Sequence, residues 1–383
     1  MAKKRVAQRR SRTATLVIAS SDVDSNLYWS THFLAGDPFI YIEHNGRKTI
    51  LTGELELGRA RKEARVDEVV SIVPFETALR KAGVRPRPAE VISLYLRGTG
   101  VRTLAVPSSF PLGHAERLRA KGYHVKLQED PFCPGRLRKS AQEIDSIAHA
   151  QEATEAAMEH AIGIIAASRI DGKVLRRRGE VLTSEAVRTA IRAFLLDRGY
   201  LATEIIVAGG DDACDPHVRG SGPLPANLPI VIDIFPRSLE TRFWGDMTRT
   251  VVRGRASDGA RKLYCDVSDA VDLVFSLLRP GVEGTAIHQA VVDHFAARGH
   301  ETGEDAHGRM CGFFHGTGHG VGLDLHESPR LGKTRSTLPE GSVVTVEPGL
   351  YYPGVGAVRI EDLVVVEKRG VRNLNRLPRV LEV

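Results

Sequence analysis

Apolar positions in the first third of the chain recur in short runs, separated by Gly, Pro, Asn and Asp. Residues 15–19 and 38–43 predict strands, and residues 47–51 follow the turn Asn45-Gly46 as a hairpin partner. Residues 86–96 and 112–121 carry helical spacing, with 103–106 a short buried strand between them. This stretch reads as an α/β domain of about 120 residues, an ordinary domain size. Two prolines and a glycine in Pro131-Phe-Cys-Pro-Gly135 then interrupt every periodic pattern and mark a boundary.

Beyond the boundary the elements lengthen. Ser140-Ala-Gln-Glu143 has the form of a capping box and opens a long helix with Ile144, Ile147, Ala148, Ala161, Ile164 and Ile165 on recurring faces. A second helix is predicted over 184–198, then strands over 205–208, 229–235 and 247–252. The outline repeats after Gly254, with helices over 261–278 and 285–298 and strands over 342–347 and 357–366. Two helix-helix-strand-strand halves facing each other across a shared sheet are expected.

A chain of 383 residues exceeds one ordinary core, so two domains are expected. With 42% apolar and 26% charged residues it reads as a folded protein, and it has no apolar run of membrane-spanning length. Lys and Arg number 53 against 47 Asp and Glu, a net charge of +6. Lys3, Lys4, Arg5, Arg9, Arg10 and Arg12 supply that whole excess, so residues 13–383 sum to zero. The basicity belongs to a tail, read as a flexible segment over 1–13, and nucleic acid is not an expected partner. The six residues 14–19 are too few for a signal-peptide core. The four cysteines, Cys133, Cys214, Cys265 and Cys311, lie far apart without C-x-x-C spacing. A reducing, cytoplasmic location is expected.

The informative residues are acids in apolar strands. Asp233 lies in PIVIDIF, Glu347 in VVTVEP and Glu361 in VRIEDLVVV. A buried carboxylate costs several kcal/mol unless it is paired or bound to a metal. One such acid is best explained by a salt bridge; three would need three buried cations, and these strands supply only Arg359. Shared divalent cations are the economical solution. Asp246 stands before the strand that follows Asp233's, and the segment HGTGHGVGLDLHE places His315, His319 and His326 among glycines. His288, His294, His300 and His307 read instead as ordinary core or surface residues. Four carboxylates and one imidazole make an oxygen-rich set suited to Mn, Co, Fe or Zn at a paired site. His326-Glu327 lacks the second histidine of H-E-x-x-H, Gly220-Ser-Gly222 is no nucleophile elbow, and the glycines of 316–322 are a weak dinucleotide signal.

The ordered set Asp233, Asp246, His319, Glu347 and Glu361, set in GTGHGVGLDLHESP, VTVEPGLY and VRIED, resembles the Xaa-Pro peptidases, prolidases and aminopeptidases P, within the methionine-aminopeptidase group. The resemblance implies a creatinase-like α/β domain over 14–134 and a pita-bread catalytic domain over 135–383. It implies two divalent metal ions per chain, manganese first, with Co, Zn or Fe as alternatives. It also implies a homodimer acting on short proline-containing peptides, with hydrolysis of the Xaa-Pro bond by a metal-bridging hydroxide. Asp233 would chelate one metal and His319 the other, with Asp246 and Glu361 bridging. Glu347 would bind the second metal and act as general base. His217 and His326 correspond to catalytic histidines near the scissile bond, and His315 and Arg359 to groups lining the substrate side. Arg359 and Glu361, two apart on one predicted strand, would face the same way.

Asp233 and Asp246 are thirteen apart, two more than the family's usual spacing, with Phe235 to Trp244 between them. Two added residues preserve the facing of both aspartates because side chains alternate with period two. The altered loop bears on substrate size and specificity. The alternatives are a methionine aminopeptidase, a non-peptide amidohydrolase, or a pseudoenzyme that only binds peptide or protein. The extra amino-terminal domain and Arg359 argue against the first, and the complete ligand set against the last.

Overall fold

The computed structural model describes residues 11–383, which divide into two compact units, residues 11–134 and Gly135–Val383. Most of the predicted basic tail lies outside the described residues. Its last positions do not behave as a tail: the Ser11 N–H donates to Asn45 Oδ1 at 2.9 Å, and the Arg12 carbonyl accepts from Arg102 N at 2.8 Å. The first strand begins at Thr13, so Ser11, Arg12 and Thr13 belong with the folded unit.

The first unit is built on a six-stranded sheet of β1 (Thr13–Ala19), β2 (Phe39–His44), β3 (Arg47–Thr52), β4 (Glu68–Ser71), β5 (Thr103–Val106) and β6 (His124–Leu127), in the order β4-β3-β2-β1-β5-β6. β1, β2 and β3 pair antiparallel, and the outer pairings are parallel. Asn45 and Gly46 both take positive φ, 54° and 75°, as a two-residue hairpin turn requires. Both sheet faces are buried: Leu16, Ile18, Ile40 and Ile42 pack on one side, Val17, Phe39, Tyr41 and Ile50 on the other. That two-sided burial is why these strands read as nearly continuous apolar runs. Three helices escaped the sequence reading, α1 (Ser25–Thr31), α2 (Glu54–Glu63) and α3 (Val73–Lys81). α2 buries only Leu57 and Ala60, and α3 rests Phe75 and Leu79 on the core half-buried without enclosing any residue, so neither has a fully buried apolar stripe. α4 (Pro88–Tyr95) and α5 (Leu112–Ala120) fall where expected.

The second unit opens with α6 (Ala141–Ala166), whose capping box is formed: Ser140 Oγ accepts from Glu143 N, and the Glu143 carboxylate accepts from Ser140 N at 2.7 Å. α6 and α7 (Ser184–Leu196) share a core with the antiparallel sheet β7 (Ile205–Gly209), β8 (Ile230–Ile234) and β9 (Met247–Val251). α8 (Asp258–Leu277) and α9 (Gly284–Ala297) pack in the same way on a second sheet. Its strands are β10 (Gly318–Gly320), β11 (Glu327–Leu331), β12 (Val343–Val346), β15 (Asp362–Glu367) and β16 (Gly370–Asn373), in the order β11-β10-β12-β15-β16. A separate ribbon joins β13 (Gly349–Tyr352) to β14 (Gly356–Arg359).

Two expectations are corrected here. The predicted strand 357–366 is two strands, because the chain leaves the ladder with β13 at Arg359 and joins β12 at Asp362. The predicted shared sheet is likewise several ladders rather than one. The halves meet where Glu361 N donates to the Thr248 carbonyl at 3.0 Å and Arg359 N donates to Thr250 Oγ1 at 3.0 Å. Among the described residues no helix is long and apolar enough to cross a membrane.

Arg249 reinforces this seam. It is 1% exposed, donates to Asp362 Oδ1 at 2.7 Å and also to the carbonyl of Glu361 at 2.8 Å. Burial works against the charge of Asp362, but Arg249 and Arg379 outweigh it and hold the carboxyl below the usual range. Asp362→Asn strands a buried guanidinium and is expected to cost about 3–5 kcal/mol. Denaturant unfolding at neutral pH checks this. The contribution of Asp362 is present above the ordinary aspartate pKa and fades as pH falls through its lowered folded value.

Candidate active site

All nine residues singled out from the sequence line one cavity of about 910 Å³ in the second unit: His217, Asp233, Asp246, His315, His319, His326, Glu347, Arg359 and Glu361. On β8, Ile230, Ile232 and Ile234 enter the helix-side core, and alternation turns Val231 and Asp233 to the opposite face. Asp246 is held through its backbone by Gln151 of α6, whose amide donates to Asp246 O and accepts from Asp246 N, each at 2.8 Å. Gly245 permits the approach to α6, since a Cβ there would lie 2.6 Å from the Ala150 carbonyl oxygen. The longer hairpin between the two aspartates leaves both carboxylates in the same cavity.

His319 sits at the centre of β10, its N–H donating to Thr345 Oγ1 at 3.0 Å. Its Nδ1 faces the Gly320 carbonyl at 3.2 Å, which assigns the proton to Nδ1 and leaves the Nε2 lone pair free. That Nε2 lies 3.3 Å from Glu347 Oε1 and 3.6 Å from Asp246 Oδ2. Donor atoms of Asp246, His319 and Glu361 all fall within 4.8 Å of one another. Glu361 accepts from Thr248 Oγ1 at 2.8 Å, and Glu347 from Thr345 Oγ1 at 3.3 Å. Glu347 stands one residue past the end of β12, not inside the predicted strand 342–347.

Asp233 has the salt bridge that a single buried acid suggests: its Oδ2 accepts from Arg359 Nη2 at 2.7 Å. Its Oδ1 is buried with no hydrogen-bond partner. Arg359 is consumed by the protein, since it also donates to Tyr351 Oη at 3.0 Å and to Thr248 Oγ1 at 3.3 Å. Tyr351 in turn donates to His315 Nε2 at 2.8 Å, and His315 Nδ1 faces the Gly316 carbonyl at 2.7 Å. Arg359 and Glu361 line the same cavity although the strand breaks between them.

The electrostatics follow from crowding. Burial first, and neighbouring carboxylates second, raise Asp246 and Glu361 well above ordinary values. Burial also pushes Glu347 up to about 7. Burial lowers His319 to about 3, so its imidazole is neutral and able to ligate. Four carboxylates, one orphaned oxygen and a neutral imidazole, set against one guanidinium that is already engaged, fit hard divalent cations.

His217 and His326 are the exposed members, with the His326 ring edge-on to His319 at 4.3 Å. His288 and His300 lie outside the cavity, the first beside Thr317 Oγ1 at 3.0 Å and the second beside Asp266 at 2.7 Å. Sequence reasoning missed Gln151, Thr248, Thr345 and Tyr351, which hold the ligand side chains. The threonines carried a faint signal as hydroxyls in otherwise apolar strands. It also missed Arg330 and Lys333, exposed cations on the cavity wall that form no ion pair among the described residues.

Known proteins resemble this chain in sequence and in fold. The sequence pattern of metallopeptidase family M24 matches residues 145–368, more than half of the chain. A Xaa-Pro dipeptidase of Pyrococcus horikoshii is 29% identical over 286 residues, 74% of this chain and 75% of that protein. The solved prolidase of Pyrococcus horikoshii is 25% identical with a TM-score of 0.76, covering 96% of this chain and 95% of that one. The Xaa-Pro dipeptidase of Bacillus anthracis has a TM-score of 0.80 at 22% identity over 97% and 95% of the two chains, which shows the fold alone. The fold is therefore the pita-bread fold preceded by a creatinase-like unit. On the family match over its second unit, the chain belongs to metallopeptidase family M24.

Proposed function

We propose that the protein hydrolyses the bond before proline in dipeptides and short peptides carrying proline at the second position. The observation that carries this reading is the convergence of Asp246, His319 and Glu361 within 4.8 Å, with Glu347 at 3.3 Å from His319, in an open cavity. The names of the relatives support the choice of substrate. Asp233, Asp246, His319, Glu347 and Glu361 would hold two divalent ions, manganese first. When bound, such ions lower the pKa of a water and polarise the scissile carbonyl.

The chain's own groups do the rest. Glu347 accepts the proton of the attacking water at its carboxylate and passes it toward the leaving proline nitrogen. His217 and His326 offer ring N–H donors to the carbonyl oxygen as it gains charge, an effect worth roughly 3–4 kcal/mol per donor. His315 and Arg359, saturated by Tyr351, Gly316 and Asp233, shape the substrate side as a rigid wall. Arg330 and Lys333 offer positive charge to a substrate carboxylate, which favours a peptide whose C-terminus lies close to the scissile bond.

Metal-loaded protein assayed in parallel on Xaa-Pro dipeptides, Xaa-Pro-Yaa tripeptides and Met-Ala peptides tests this. The dipeptides are expected to have the highest kcat/KM. Faster cleavage of Met-Ala would replace the reading with a methionine aminopeptidase. Light scattering and metal analysis of the same preparation check the homodimer and the manganese that accompany it.

A further inference from the structure

The connection from β10 to β11, residues 321–326, carries His326 and has no regular structure of its own. Among the described residues the His326 imidazole makes no hydrogen bond, and its ring contact is with His319. Where that imidazole sits therefore depends on the backbone beneath it. Two devices hold this backbone. Arg136 donates to Asp324 Oδ2 at 2.7 Å and to Glu327, so one guanidinium ties together the residues on both sides of His326. Lys139 Nζ donates to the other oxygen of Glu327 at 2.7 Å. The three side chains of Arg136, Lys139 and Glu327 are at most 10% exposed.

The anchor is itself docked. Lys139 N donates to the Gly341 carbonyl at 2.9 Å, and Ser342 Oγ donates to the Leu137 carbonyl at 3.2 Å, just before the strand leading to Glu347. On the other side, Trp244 belongs to the lengthened hairpin and stands two residues before Asp246. Its N–H donates to the Gly322 carbonyl at 3.1 Å, and its indole Nε1–H donates to the Leu323 carbonyl at 3.1 Å. A Cβ on Gly322 would lie 2.6 Å from Glu327 Oε1, so the loop backbone rests directly on the carboxylate.

We propose that Arg136, Glu327 and Trp244 are positioning residues that fix the 321–326 loop and thereby place the His326 imidazole over the reaction centre. The inference rests on the role given to His326 above. It also assigns a use to the longer hairpin, whose Trp244 clamps the loop from the aspartate side.

A double-mutant cycle on the full-length, metal-loaded protein tests it with a Xaa-Pro dipeptide. Arg136→Met is expected to lower kcat about tenfold with KM changed less than about twofold. Trp244→Phe keeps an aromatic side chain and the backbone N–H, removes the indole N–H, and is expected to lower kcat about threefold. Each loss should vanish in a His326→Ala background, to within about twofold, because the residue acts only through His326. Amide hydrogen exchange over 321–326 in metal-free protein should quicken in both single variants. Losses that multiply with that of His326→Ala would overturn the positioning role, as would unchanged exchange in the loop. If Arg136→Met does not fold, the Trp244→Phe arm decides the matter alone. A His326→Ala protein with unaltered kcat would instead overturn the role of His326, and this inference with it.

Discussion

Replacing Glu347 by glutamine is expected to lower kcat on a Xaa-Pro dipeptide by about 10³-fold, within the range found for loss of a general base. Glutamine keeps the shape of the side chain and the hydrogen bond from Thr345 but carries no charge and accepts no proton. Glu347 Oε1 is 3.3 Å from His319 Nε2 and its carboxyl is raised by burial, so it stands both among the ligand atoms and near neutrality in proton affinity. His217→Ala is expected to lose far less, because that exposed ring lies at the cavity wall and shares its donor role with His326. Steady-state kinetics at saturating metal checks the pair. Equal and small losses for both variants would show that the roles are misassigned.

Removing divalent ions with a chelator is expected to abolish turnover, and about two ions per chain to restore it. Asp233, Asp246, Glu347 and Glu361 crowd one cavity, and among the described residues Arg359 is the one guanidinium in ion-pair contact with them, too much negative charge for one ion to balance. Calorimetric titration with manganese, read beside activity, checks the stoichiometry, and fully active protein with no bound metal would sink the proposal. The metal-free protein should also show an unusual pH dependence. Unfolded carboxyls titrate near 4 and imidazoles near 6.5. His315 and His319, lowered by burial to about 3, bind protons only when the chain unfolds, so they add stability as pH rises to about 6.5 and nothing beyond it. Glu347, raised by burial to about 7, still holds protons in the fold above that point, and burial with neighbouring carboxylates raises Asp246 and Glu361 in the same direction. The unfolded chain has released these protons. Thermal stability of metal-free protein is therefore expected to fall between about pH 6.5 and 8, and added metal to abolish the fall. A metal-free melting temperature that rose through this window would contradict the crowding.

Asp233, Glu347, Glu361 and the histidines of 315–326 stand out because each violates a local rule, whereas His217 enters only through the family resemblance. An acid inside PIVIDIF or VVTVEP has no cheap burial, and histidines among glycines cannot be a helix face. The capping box at Ser140 and the hairpin at Asn45-Gly46 were legible for the complementary reason, since their hydrogen bonds close within a few residues. Elements with little burial were not: α2 buries two residues and α3 none, so their positions depend on what they lie beside. Nor was the break at Ile360-Glu361, because an apolar run does not reveal which partner each half of it will pair with. Gln151 looks like any polar residue of a long helix until Asp246, 95 positions away, binds it through both backbone groups. Likewise, Arg359 could be read as buried and cationic, but not as already spent on Asp233, Tyr351 and Thr248. The sequence by itself determined which side chains would need a cation, because charge and burial are properties of residue type and local pattern. Only the tertiary structure decided which of them meet and which partners they already have, because hydrogen bonds between distant segments depend on how the ladders pack.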